Sequence, residues 1–77
     1  MSKNLSKYDI VVVTKNDDGE EEVHIFKRKW MATVEDVMKA MENDRVFSLN
    51  DEEMRIFFFK PNEVSKLQFN LVESLGR

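Results

Sequence analysis

Tyr8-Asp9-Ile10-Val11-Val12-Val13-Thr14-Lys15, then Asn16-Asp17-Asp18-Gly19, then Glu20-Glu21-Glu22-Val23-His24-Ile25-Phe26-Lys27-Arg28-Lys29-Trp30 is the stretch that decides the fold. Ile10 to Thr14 are all β-branched and suit a pleated strand better than a helix. Asn16 to Gly19 reads as a type I turn with Gly19 in the left-handed position, so Glu20 to Trp30 returns as the second strand of a hairpin. The short loop of that turn sets the register. It places Lys15 opposite Glu21, Val13 opposite Val23, Val11 opposite Ile25 and Asp9 opposite Lys27 on one face. The other face carries Thr14 with Glu22, Val12 with His24, Ile10 with Phe26 and Tyr8 with Arg28. A slip of one residue would break the pairing on both faces together. Both faces of the hairpin are therefore apolar.

Downstream, Thr33-Val34-Glu35-Asp36 reads as a helix start, with the Thr33 hydroxyl accepting from the Asp36 amide and carboxylates at the positive end of the dipole. The helix is expected to run to about Asn43, with Val34, Val37, Met38 and Met41 in one apolar stripe and Glu35 paired with Lys39 on the exposed side. Asn50-Asp51-Glu52-Glu53 reads as a capped turn, and Met54-Arg55-Ile56-Phe57-Phe58-Phe59-Lys60 as a strand with rings on both sides. Pro61-Asn62-Glu63-Val64 reverses the chain. Leu67-Gln68-Phe69-Asn70-Leu71 alternates as a final strand, while Val64, Leu67, Leu71, Val72 and Leu75 also fit a helical stripe ending at Gly76; the strand is preferred. Residues 1 to 7 read as a disordered polar tail and residues 8 to 77 as one α+β domain. That domain is a ββαββ unit, an antiparallel sheet of about four strands with one helix packed on one face.

In length and order of elements this pattern resembles the ubiquitin-type β-grasp. The resemblance implies a fold only. The chain ends Leu75-Gly76-Arg77, without the diglycine tail that conjugating members need, so conjugation is not implied.

Composition narrows the rest. A chain of 77 residues hides only roughly 60 to 65% of its extended-chain surface on folding, so its core is thin. No cysteine is present to add a disulfide or a zinc site. Twelve basic and 15 acidic residues give a net charge of -3, which argues against whole-molecule attraction to nucleic acid or anionic membranes. No apolar run approaches the ~20 residues of a membrane helix and no signal peptide is visible, so a cytoplasmic location is expected.

No residue pattern carries enzyme chemistry. His24 is the single histidine and lies mid-strand on the face expected to point away from the helix, with no serine or cysteine placed as a nucleophile. No metal or cofactor is expected. Asp17-Asp18 with Glu20-Glu21-Glu22, and Asp51-Glu52-Glu53, fail the spacing of a calcium loop and read as a solvated hairpin turn and as capping charge. As a functional alternative, they could imitate a phosphate row and block a DNA-binding protein, although -3 is a small charge for such a mimic. Lys27, Arg28, Lys29 and Trp30 form the one basic cluster, and the alternative reading is a phosphate-contacting strand with a stacking ring.

The preferred expectation rests on surplus apolar area. If the two hairpins share one sheet, Ile10, Val12, Phe26, Phe57 and Phe59 form an aromatic face that the helix does not cover. Residues 61 to 75 could fold over that face as a second core layer; otherwise it meets another protein or a second copy of the chain. The function expected is a non-enzymatic, protein-binding module, regulatory or inhibitory, working through that face or an edge strand. In composition the chain resembles the small host-directed proteins of large lytic phages.

Overall fold

The structure, a computed structural model, describes residues 6–74. Strands β1, Ser6–Lys15, and β2, Glu21–Trp30, form the expected hairpin. Gly19 takes φ +83°, its N–H donates to the Asn16 carbonyl (3.0 Å), and Asn16 Oδ1 accepts from the amides of Asp18 and Glu20. The expected register holds from Lys15 opposite Glu21 to Ile10 opposite Phe26. Beyond it the ladder bulges. Arg28 adopts φ 59° and its N–H donates to Asp9 Oδ1 (3.1 Å), after which Tyr8 lies opposite Lys29 and Lys7 opposite Trp30. The expected pairs of Asp9 with Lys27 and Tyr8 with Arg28 are lost because the Asp9 carboxylate captures a backbone amide and one extra residue enters β2.

β1 is the centre of a three-stranded antiparallel sheet in the order β2-β1-β5, where β5 is Val64–Ser74. The 11-residue β5 runs beside β1 from Ser6 to Thr14. The four-residue β4, Ile56–Phe59, could cover less than half of it. β4 pairs instead with β3, Phe47–Asn50, as a separate two-stranded sheet. The two hairpins therefore do not share a sheet, and the last segment joins the first hairpin rather than folding over it. Among the described residues the fold is α+β, with five antiparallel strands and one α-helix in the order ββαβββ, one strand more than expected. Ser6 and Lys7, expected in the tail, belong to β1, and Ser6 is buried. The expected tail residues 1–5, and Leu75 and Gly76, lie outside the described residues.

Helix α1, Met31–Glu42, follows β2 without a loop. Trp30, with extended backbone, stands at the N-cap and gives no side-chain hydrogen bond, so Thr33 is not the cap. The β1 ladder holds the chain as far as Trp30, and the helix starts at the first residue the ladder releases. Val34 and Val37 are buried and Met31, Ala40 and Met41 pack against the core. Met38 is exposed, contrary to the expected stripe, and Ala40 takes its place. Glu35 and Lys39 are both exposed and belong to none of the ion pairs among the described residues.

Helix α1 and the β3-β4 hairpin lie side by side on one face of the three-stranded sheet. Ile10, Val12, Phe26, Val34, Val37, Phe47, Leu49 and Phe59 form the core, with Tyr8, Phe57, Leu67 and Phe69 packed against it. This reverses the expected faces. Ile10, Val12, Phe26 and Phe59 are buried and Phe57 is half-buried against them, so four of the five residues expected to meet a partner are interior and the fifth turns toward the core. The reason is cumulative area. β5 adds Leu67 and Phe69 to the Ile10 face, and the second hairpin and the helix close over that richer face.

Candidate functional site

The β3-β4 hairpin repeats the turn of the first one. Asp51 N–H donates to the Arg55 carbonyl (3.0 Å) and Met54 N–H to the Asp51 carbonyl (3.1 Å), while Asp51 Oδ1 accepts from the amides of Glu53 and Arg55. Arg55 Nε also donates to Asp51 Oδ2 (2.8 Å). Desolvation pushes the Asp51 carboxyl up, but the Arg55 amide and guanidinium and the Glu53 amide outweigh it and hold the group below its ordinary 3.8. Met54 takes φ 68°, the conformation that Gly19 supplies in the first turn. A side chain with a Cβ is strained there, and this one projects into water.

Alternation along β4 then separates three consecutive phenylalanines. Phe59 is buried (4% exposed) and Phe57 half-buried, whereas Phe58 is 72% exposed. Ile56 and Phe58 stand exposed on the outward face of the hairpin, with Ser48 opposite Phe58 and Asn50 opposite Ile56, and Met54 is exposed in the turn that precedes them. Sequence reasoning missed this surface because it missed β3. The signal was Phe47-Ser48-Leu49-Asn50, whose apolar positions face inward and so turn Phe57 and Phe59 inward and Ile56 and Phe58 outward.

A second apolar surface lies on the opposite side of the molecule. Val11, Val13, Val23 and Ile25 occupy the open face of the three-stranded sheet, the face expected to lie under the helix. Val23 and Ile25 are more than half exposed, while Val13, on the central strand between Val23 and Lys66, is buried by its neighbours.

The other candidate residues are dispersed. Arg28 Nη2 lies 2.6 Å from Glu73 Oε1, Lys7 Nζ sits 4.4 Å above the Trp30 ring, and Lys29 turns with Tyr8 toward the helix side, so Lys27 to Trp30 do not form one patch. His24 lies on the core side, not away from it. Its ring is 5.2 Å from Phe59 and 5.7 Å from Phe57, and its Nε2 is 3.6 Å from Glu22. Among the described residues no group of three or more His, Asp or Glu could hold a metal ion, and no helix is long and apolar enough to cross a membrane. No protein-family model, curated protein or solved structure matches this chain.

Proposed function

We propose that this chain is a non-enzymatic protein-binding module that docks its partner against the outward face of the β3-β4 hairpin, through Met54, Ile56 and Phe58. The observation that carries the reading is the Phe58 ring, 72% exposed on a two-stranded sheet, with exposed Ile56 on the same face and exposed Met54 in the adjoining turn. Hiding such a ring from water is worth ~1.5 to 3 kcal/mol, a large part of what holds a small domain together. Ser48, Asn50, Glu52, Glu53 and Lys60 surround these side chains with polar groups, the arrangement of an apolar centre with a wet rim. A regulatory or inhibitory role fits a module of this size that acts by covering a surface of its target.

The test compares wild type with Phe58→Asp in affinity capture from a cell lysate at low and high salt. Wild type is expected to retain a partner at both salt concentrations, and Phe58→Asp to lose it while keeping the wild-type circular dichroism spectrum. Retention of the same partner by Phe58→Asp would refute the docking face. Release by salt would point to phosphate contacts instead.

A further inference from the structure

We infer that the groove between α1 and β3 takes an extended peptide of a partner protein, bound as an added strand on β3. This site adjoins the proposed docking face, since Ser48, Asn50 and Met54 border both, but Ile56 and Phe58 do not line it.

The ladder itself supplies the first argument. Because Asp51 N–H bonds to the Arg55 carbonyl, the hydrogen-bonded pairs of the hairpin are Leu49 with Phe57 and Phe47 with Phe59. The N–H and C=O groups of Ser48 and Asn50 therefore point away from β4. Among the described residues β3 has no other strand beside it. On that side lies a groove of about 600 Å³, with Ser48 and Asn50 along one wall, Asp36 and Ala40 along the other, and Val37 and Leu49 in its floor.

The groups in the groove define the occupant. Two outward N–H groups and two outward C=O groups at strand spacing are half of a ladder, and the matching half is another extended backbone about 4.8 Å away. A helical segment cannot supply it, since its own backbone bonds are already made. Side chains of an added strand alternate, so those pointing inward meet Val37 and Leu49 and are apolar, while those pointing outward stand in water beside Ser48 and Asn50. β3 has four residues, which admits a peptide segment of about four to six.

Charge adds polarity. Lys29 and Asp36 both line the groove, and neither belongs to any of the ion pairs among the described residues. A peptide with an acidic residue or a terminal carboxylate at the Lys29 position and a basic residue near Asp36 completes both.

The test selects phage-displayed random linear octapeptides against the full chain, then measures the affinity and the amide exchange of one enriched peptide complex. Enriched sequences are expected to alternate apolar and polar residues and to slow exchange at the Ser48 and Asn50 amides. Asn50→Pro removes a donor that no internal bond uses, and should weaken the peptide about tenfold or more. Thr33→Trp, which fills the groove from the helix wall, should weaken it similarly. Phe58→Ser should leave its affinity unchanged, which separates this groove from the outward face. The inference is overturned if no peptide is enriched, if protection falls on β2 or β5, or if well-folded Asn50→Pro and Thr33→Trp proteins bind as wild type does.

Discussion

Gly19 and Met54 occupy the same place in two turns built on one hydrogen-bond plan, yet only Gly19 is chemically suited to it. No heavy atom lies within 4 Å of the Cβ that Gly19 lacks, so Gly19→Ala meets no clash and should cost about 1 kcal/mol from backbone strain alone. Met54→Gly should do the reverse and stabilise by about 0.5 to 1 kcal/mol, read as a shift in urea midpoint at constant slope. The same substitution removes an exposed apolar side chain from the proposed docking surface. It should therefore weaken partner binding while raising stability, and a gain in both would show that Met54 has no part in the contact. Asp51 beside it gives a pH signature. Its carboxyl is held below 3.8 in the folded chain, so the stabilisation it gives is complete above the unfolded value and is lost as pH falls through the lower, folded value. Asp51→Asn should be less stable than wild type at neutral pH, and the gap should close in acid; a gap that persists at pH 2 would mean the ionised carboxylate is not what closes the turn.

At the scale of elements, α1 shows how a strand can override a local signal. Thr33 has the residue type of a cap, but the helix begins at Met31, where the β2 ladder ends. Thr33→Ala should therefore cost under about 0.5 kcal/mol rather than the ~1 kcal/mol of a lost cap, measured by chemical denaturation. The first turn holds no acidic residue, and Ala32→Glu should add about 0.3 to 1 kcal/mol at low ionic strength. What was legible in the sequence was local. The Asn16 to Gly19 turn and the β-branched run fixed six consecutive pairs of the first hairpin, and the alternation of Leu67 to Leu71 was enough to favour a strand. What was not legible depended on partners far along the chain. The Arg28 bulge needs Asp9 to accept its amide, the parity of Phe57 to Phe59 is set by β3, and the choice of covered face needs β5 to add Leu67 and Phe69. The candidate site inherited those errors, because a face can be assigned to solvent only after every layer has been placed.

For the whole molecule, two adjacent phenylalanines distinguish the core from the docking surface. Phe59 sits between Phe47, Phe26 and His24, whereas Phe58 points the opposite way into water. Phe59→Ala leaves a cavity between the layers and should cost about 3 to 5 kcal/mol, close to the full stability of a domain this small. Phe58→Ala removes only exposed surface and should fall within about 0.5 kcal/mol of wild type. Ile10→Asp, at the centre of the three-stranded sheet and fully buried, should unfold the chain, because the core cluster that holds this position is hydrophobic and an unpaired carboxylate would be stranded in it. Urea denaturation followed by circular dichroism ranks the three variants directly. The two-layer arrangement requires that order, since the sheet, the helix and the second hairpin meet only through the residues on the Ile10 face. A folded, cooperative Ile10→Asp protein, or a Phe58→Ala protein as damaged as Phe59→Ala, would mean that the hairpin packs with its other face inward and that the proposed docking surface is interior.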